Sequence, residues 1–186
     1  QLFNPTMIKH RRFDGHIATA KNCGTHWVKF MLSHVIAQIY DLPAPEHIGD
    51  DKIVGHPKNP PIYDHIPKLA VTHSHPHYMM RCASLHDYFQ WPRYAFLVRN
   101  PKAILVSIYE KSKGEHIDKK FGKDNVTFSE YLKCDIQKDN RLENLWGIIR
   151  YFNAWGCVYK NFENNVLLIQ YEEIEKNTEH VLKQLC

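Results

Sequence analysis

Residues 21–27 (KNCGTHW) combine features that bind a phosphate or sulfate at the start of a helix. Gly24 stands where a helical pattern begins, and the first backbone N–H groups of a helix have no partner within it. That end of a helix also carries about half a positive charge. A glycine lets the backbone approach an anion closely, and the Thr25 hydroxyl adds a hydrogen-bond donor. The stretch therefore predicts an anion site. The alternative is a turn that needs Gly24 for its geometry alone.

A second group of residues that suits phosphate lies in residues 97–107 (LVRNPKAILVS). Arg99 directly follows an apolar segment, and Ser107 lies further along, within the next helical pattern. A guanidinium binds phosphate oxygens through paired hydrogen bonds, which makes Arg99 a candidate ligand. The alternative for Arg99 is a salt bridge at the edge of a sheet.

His73 is a candidate general base, because a neutral imidazole accepts a proton near neutral pH. It belongs to the segment THSHPHY, in which His73, His75 and His77 alternate. Alternating histidines could bind zinc from one face of an extended segment. Apart from Cys82, however, no nearby cysteine or carboxylate completes a ligand set. We therefore predict no metal, and a solvated loop for His75 and His77.

The elements that must position these residues are short apolar strands separated by helical patterns. Residues 43–67 hold six prolines and no periodic pattern, so they are predicted as an irregular loop. The alternation of strands and helices predicts a mainly parallel sheet that is covered on both faces. The predicted strands are residues 16–20, 68–72, 94–98 and 166–170. The predicted helices are residues 24–40, a helix that opens at Asn100 and Pro101, and residues 128–136, 142–159 and 174–185.

The predicted sheet brings the candidate residues to one edge. Residues 21–27, 73–77 and 99–102 each follow a strand directly. In parallel sheets, ligands bind beyond the carboxyl ends of the strands, near a switch in strand order. We therefore expect these three segments to form one site.

The overall composition excludes several classes of protein. The 186 residues suit a single domain with its own core, and no apolar run approaches the ~20 residues that span a bilayer. A formal charge of +4 suits an anionic ligand, but no basic block with interleaved aromatic residues predicts nucleic-acid binding. The full G-x-x-x-x-G-K-[ST] pattern of ATP and GTP sites is also absent from the sequence, which argues against a P-loop kinase.

In these motifs the chain resembles the sulfotransferases that use 3'-phosphoadenosine 5'-phosphosulfate (PAPS). Their 5'-phosphosulfate loop reads P-K-S/C-G-T-T-W, and residues 23–27 (CGTHW) are similar to its second half. Their 3'-phosphate motif, V-x-R-N-P-K-D-x-x-V-S, resembles residues 97–107. A strand that ends in K-T-H is similar to residues 71–73 (VTH), and residues 154–173 resemble a segment that ends in L-x-L-x-Y-E-D. The resemblance covers roughly residues 15–185. It implies an α/β fold, a P-loop NTPase-like three-layer sandwich with a central, mainly parallel sheet flanked by helices.

The resemblance also implies roles for individual residues. His73 would be the general base, and neither a metal nor a covalent intermediate would be needed. Trp27 would stack on or wall the adenine, with core packing as its alternative. Cys23 would pack within the loop, although a thiol at a helix N-terminus can also be a nucleophile. Arg99 and Ser107 would bind the 3'-phosphate. The 5'-phosphosulfate would be held by the loop and helix start, at Asn22, Cys23, Gly24, Thr25 and His26.

Three departures from the family pattern bear on catalysis. The loop lysine of the family falls on Asn22, and Lys21 sits one place earlier. Either Lys21 reaches the leaving phosphate through an altered turn, which we favour, or Asn22 donates a neutral hydrogen bond. The lysine two places before the family's histidine is Val71 in this chain. A late R-K-G loop, which closes over the 3'-phosphate in the family, would lie beyond Cys186. We therefore expect one domain, residues 1–186, truncated before that loop.

Two functions follow from the resemblance. The first is transfer of a sulfuryl group from PAPS to a hydroxyl or amine of a small molecule or glycan, with adenosine 3',5'-bisphosphate (PAP) as the second product. His73 would act as the base, and Lys21 would stabilise the leaving phosphate. The second is a weak or inactive module that binds PAP or a similar nucleotide. The sequence leaves the acceptor and the oligomeric state open, with a homodimer as one option.

The cysteines bear on the compartment. Five cysteines, an odd number with no C-x-x-C pair, favour a reducing compartment and therefore the cytoplasm. The alternative is a catalytic domain in the Golgi lumen whose anchor has been removed.

Overall fold

A computed structural model describes residues 12–81, 91–114, 117–122, 124–133 and 144–186. Within these ranges the chain forms a five-stranded sheet in which every pair of neighbouring strands is parallel. The order along the sheet is β2-β3-β1-β4-β5. The strands are β1 (Gly15–Thr19), β2 (Val54–Gly55), β3 (Leu69–Thr72), β4 (Arg93–Val98) and β5 (Val166–Gln170).

Helices connect β1 to β2 and β4 to β5, as crossovers between parallel strands usually do. They are α1 (Thr25–Ile39), α2 (Pro101–Ser112), α3 (Ile117–Phe121), α4 (Phe128–Lys133), α5 (Leu145–Asn161), α6 (Tyr171–Lys176) and α7 (Thr178–Leu185). A short 3₁₀ turn covers Tyr78–Arg81. In the described ranges, no helix has both the length and the apolar character needed to cross a membrane.

The two faces of the sheet pack against different helices. Tyr94 and Phe96 of β4 contact the buried ring of Trp155 in α5. The alternate residue Ala95 faces the other side, because successive side chains of a strand point in opposite directions. There it lines a cavity together with Leu32 of α1 and Leu185 of α7. The sheet thus lies between two helical layers, and the α/β sandwich predicted from the sequence is confirmed.

The order of the strands places a ligand crevice beside β1. From β1 the chain passes to β2 and β3 on one side, and it then crosses to β4 and β5 on the other. The segments that follow β1 and β4 therefore diverge at a switch in strand order, where α/β sheets bind ligands.

Two of the predicted elements are wrong, and one helix of the structure was not predicted. The segment 43–67 contains β2, a two-residue strand that pairs with β3, so it is not wholly irregular. The predicted last helix, 174–185, is two helices that meet at Asn177, whose side chain accepts a hydrogen bond from the His180 N–H and so starts α7. Helix α3 was not predicted. Residues 134–136 and 142–143 of the predicted helices lie outside the described residues.

Candidate functional site

The loop between β1 and α1 has a backbone that needs particular residue types. Asn22 and Gly24 both have positive φ angles, 57° and 92°. Such angles are open to glycine and are tolerated best by asparagine among the other residues. A Cβ atom at Gly24 would also collide with the ring of Tyr171. Glycine is therefore required at this position both for its conformation and for the space beside it.

The first turn of α1 is open to an anion. Gly24 is the N-cap residue and offers no side chain to cap the helix, and the first turn contains no acidic residue. The Val28 N–H donates to the Gly24 carbonyl, which leaves the N–H groups of the preceding residues without an intrahelical acceptor. Together with the positive end of the helix dipole, these groups can bind a phosphate or sulfate.

The side chains of the loop differ in how far they face this site. The buried Thr25 hydroxyl lies 3.1 Å from the Thr19 hydroxyl, which in turn donates to the Ala20 carbonyl. The Thr25 hydrogen therefore points to Thr19, and an anion would have to compete for it. His26 is exposed. Trp27 is half-buried, with its ring centre 5.8 Å from that of Tyr171, so it packs against the core and also borders the loop.

Cys23 is fully buried, and its Sγ lies 3.5 Å from the Leu97 carbonyl oxygen in β4. A thiol in this environment attaches the loop to the neighbouring strand. The packing role inferred for Cys23 agrees with this geometry, whereas a nucleophile must be accessible.

Arg99 reaches across to the same loop. Its Nη1 donates to the Asn22 carbonyl at 3.0 Å, and its guanidinium lies 4.2 Å from the centre of the Tyr171 ring. The backbone N–H of the next residue, Asn100, donates to a carboxylate oxygen of Glu172 at 3.1 Å. Its side chain accepts from the Lys102 N–H and caps α2. The segment after β4 is thus fixed against both the loop after β1 and the residues after β5.

Helix α2 adds two polar residues to this side of the molecule. Ser107 is half-buried and lies one turn before Lys111 on the same face of the helix. The Nζ of Lys111 is 3.0 Å from Oδ1 of Asn22. The structure therefore brings Arg99 and Lys111 together at Asn22, one at its backbone and one at its side chain.

His73 lies at the end of β3, beside the end of β1. Its Nδ1 is 2.8 Å from the carbonyl oxygen of Thr19. Because a carbonyl can only accept, Nδ1 carries the hydrogen, and Nε2 of the neutral ring keeps its lone pair. The following residue, Ser74, accepts a hydrogen bond from Nε1 of the buried Trp155, which anchors the turn.

The surroundings of His73 lower its pKa below the usual value of 6.5. The largest cause is burial, which disfavours the charged imidazolium. The hydrogen bond to Thr19 opposes this effect, and the positive charges of His56, Lys21 and His26 reinforce it. His73 is therefore neutral at physiological pH, in the form that accepts a proton.

The other histidines of the segment have separate contacts. The His75 ring packs edge-on against Tyr151, and His77 Nδ1 accepts from the Met79 N–H. Burial lowers the pKa of His77. Among the described residues, no group of three or more His, Cys, Asp or Glu side chains is arranged to hold a metal ion. Cys82, the one further ligand considered from the sequence, lies outside them.

Two residues that the sequence analysis did not select belong to this region. Tyr171 touches the guanidinium of Arg99, borders Gly24 and packs near Trp27. It follows β5 directly, a position that could have singled it out. Lys111 was signalled only by its spacing of four residues from Ser107, which puts both on one helix face.

A family model for the sulfotransferase domain matches residues 14–186. Among solved structures, the crystal structure of a sulfotransferase from Alicyclobacillus acidocaldarius aligns with a TM-score of 0.54 and 17% sequence identity, and the alignment covers 94% of this chain and 79% of that chain. At that identity the likeness shows a shared fold. No curated protein matches the chain significantly.

Proposed function

This chain belongs to the sulfotransferase family, and we propose that it transfers a sulfuryl group from PAPS to a hydroxyl or amine acceptor, with His73 as general base. The observation that carries the proposal is the position of Thr19 between the two halves of the site. Its carbonyl holds His73, and its hydroxyl meets that of Thr25 at the start of α1. An anion bound at α1 would therefore lie near a neutral imidazole with a free lone pair.

The reaction needs little more from the protein than position and charge. As the acceptor oxygen or nitrogen bonds to sulfur, the bond from sulfur to the 5'-phosphate oxygen breaks, and Nε2 of His73 takes the acceptor's proton. The leaving phosphate gains negative charge, which N–H groups and cations can stabilise, as in phosphoryl transfer. The products are the sulfated acceptor and PAP.

The nucleotide would be bound from both sides of the crevice. We propose that Arg99 and Ser107 bind the 3'-phosphate, and that Trp27 walls the adenine. Tyr171 supports this arrangement because it contacts Arg99 and packs near Trp27. The 5'-phosphosulfate would be held by the loop from Asn22 to His26, through the backbone at Cys23, Gly24 and Thr25 and through the side chains of Thr25 and His26.

A compartment can be proposed from the thiols. Cys157 and Cys186 are free thiols in the described part of the chain. Free thiols are typical of a reducing compartment, which favours the cytoplasm.

The test is a transfer assay. The protein is incubated with sulfur-35-labelled PAPS and a panel of phenols, alcohols, amines and glycans, and labelled products are separated. Calorimetry with PAP is run in parallel. We expect labelled product with at least one acceptor, formed at least about 10²-fold more slowly by His73→Ala.

The alternative is a module that binds PAP without transferring sulfate. It is favoured by the neutral Asn22 in a loop that has a lysine in related enzymes. Affinity for PAP without transfer to any acceptor would support this alternative. A protein that neither binds PAP nor transfers label would exclude both functions.

A further inference from the structure

We propose that Lys111 supplies the cation that the loop after β1 lacks at Asn22, and that its ammonium contacts the 5'-phosphate side of the sulfuryl donor. The inference rests on the proposed function, because it assigns a role within the same site. It names a residue of α2 where the sequence had favoured Lys21.

Lys111 and Asn22 are in direct contact. Lys111 lies in the last turn of α2, far from Asn22 in sequence, and its Nζ lies 3.0 Å from Asn22 Oδ1. Asn22 has a left-handed backbone, and its carbonyl accepts from Arg99. A single loop residue is therefore bound by two cations, although it is itself neutral.

The Lys111 ammonium has N–H donors left for a further partner. An ammonium has three N–H donors, and Asn22 Oδ1 takes one of them. Within the described residues, no carboxylate forms an ion pair with Lys111, since the neighbouring Glu110 pairs with Lys113. Lys111 is exposed, so it keeps the freedom to turn from a neutral amide to an anion. An anion adds the attraction between opposite charges to the hydrogen bond, which the neutral Asn22 amide does not, so an anion would be the preferred partner.

The contact also bears on which phosphate Lys111 would reach. Asn22 sits two residues before the N-cap of α1, where the free N–H groups converge. An ammonium that already touches the Asn22 side chain is therefore close to the anion bound at that helix start. Ser107 and Arg99 remain for the 3'-phosphate. The competing assignment, in which Lys111 joins Ser107 at the 3'-phosphate, makes a different prediction for ligands that lack this group.

The experiment uses three variants of the full chain: Lys111→Ala, Lys111→Arg and Lys113→Ala. The last is the matched control, since it removes the same charge from the end of α2 at a residue paired with Glu110. The measurements are kcat and KM for PAPS, and calorimetric affinities for PAP and for adenosine 5'-phosphate, which lacks the 3'-phosphate. The thermal midpoint of each variant reports on folding.

We expect Lys111→Ala to lower kcat by about 10²-fold, in the range seen when one donor to a developing anion is removed. It should weaken the binding of PAP and of adenosine 5'-phosphate by equal factors. Lys111→Arg should recover part of the rate, and Lys113→Ala should stay within about twofold of the unmodified protein. In a Lys111→Ala background, Asn22→Lys should restore kcat, because it returns an ammonium to the same loop.

Two results would overturn the inference while leaving the proposed function intact. One is a Lys111→Ala protein with unchanged kcat and affinities. The other is a loss of affinity for PAP without a loss for adenosine 5'-phosphate, which would move Lys111 to the 3'-phosphate. If the unmodified protein binds PAP but transfers no sulfate, the proposed reaction fails and the two affinities still decide the role of Lys111. If it binds neither nucleotide, both proposals are refuted.

Discussion

Nδ1 of His73 and the carbonyl oxygen of Thr19 lie 2.8 Å apart, and the register of the sheet fixes this distance. Ala18 of β1 pairs with Thr72 of β3, so the next residue on each strand meets its counterpart as the strands end. The imidazole is thus oriented by main chain and not by a carboxylate. This holds the neutral tautomer with Nε2 free while adding no negative charge that would raise the pKa of the ring.

The first prediction separates the base from its position. His73→Asn places an amide N–H close to where Nδ1 stands, so the contact with Thr19 can persist while the proton acceptor is lost. We expect kcat to fall by about 10²- to 10⁴-fold in both His73→Asn and His73→Ala, as for the loss of a general base. Calorimetry should show that His73→Asn keeps its affinity for PAP. Undiminished turnover in either variant would remove His73 from the base role.

The second prediction concerns pH. Only neutral His73 accepts a proton, and its pKa lies below 6.5, so kcat/KM should fall at acid pH with the midpoint of the fall below pH 6.5. The fall should follow one proton and should be missing in His73→Asn. Lys21 contributes to the lowered pKa, so Lys21→Met should shift the inflection to higher pH. A shift to lower pH would contradict the electrostatic argument. Rates of labelled transfer measured from pH 4.5 to pH 8, roughly two units below and above the ordinary imidazole pKa, give the profile.

The third prediction tests why Gly24 is a glycine. Gly24→Ala introduces strain at a positive φ and also collides with Tyr171. Gly114 is a matched control, because its φ is +85° and no atom of the described residues lies within 4 Å of where its Cβ would be. Gly114→Ala should lower the free energy of unfolding by about 1–2 kcal/mol, the cost of a left-handed alanine. Gly24→Ala should lower the free energy of unfolding further and should also weaken the binding of PAP. If urea denaturation shows the same loss of free energy of unfolding for both variants, the Tyr171 ring moves aside at no cost.

The fourth prediction concerns the ion pair between Lys29 and Asp51. Lys29 of α1 is buried, whereas the Asp51 side chain is 34% exposed, and Lys29 also donates to the Gly49 carbonyl. Removal of Asp51 leaves the buried charge of Lys29 unpaired, which is costly. Removal of Lys29 leaves an unpaired carboxylate in contact with water, which costs less. Asp51→Asn should therefore lower the free energy of unfolding by more than Lys29→Met, by about 1–3 kcal/mol. The reverse order in denaturant titrations would contradict this account.

The parts of the molecule that sequence reasoning located are those with strong local signals. Strand β4 is apolar from Tyr94 to Val98, and α1 follows a glycine with regular apolar spacing, so both were placed to within one residue. Their order along the chain was enough to predict that the segments after β1, β3 and β4 share an edge. The family model and the shared fold support the same architecture.

The parts that it missed depend on partners distant in sequence. Val54–Gly55 is a strand because β3 lies beside it, and two residues give no period of their own. The apolar spacing of Ile174, Val181 and Leu185 runs through Asn177, so periodicity alone could not show the break. The contact between Lys111 and Asn22 joins the last turn of α2 to the loop after β1, and no local pattern predicts it.

The central position of β1 also bears on how the chain is made. Its two neighbours in the sheet, β3 and β4, come later in the sequence, so the ribosome releases β1 well before either can cover it. Until β4 emerges, β1 can pair with β3 along one edge only and has no strand on its other side, so the nascent chain exposes apolar surface. Synthesis of β4 is therefore the step at which we expect the sheet to become cooperative and the need for chaperone protection to end.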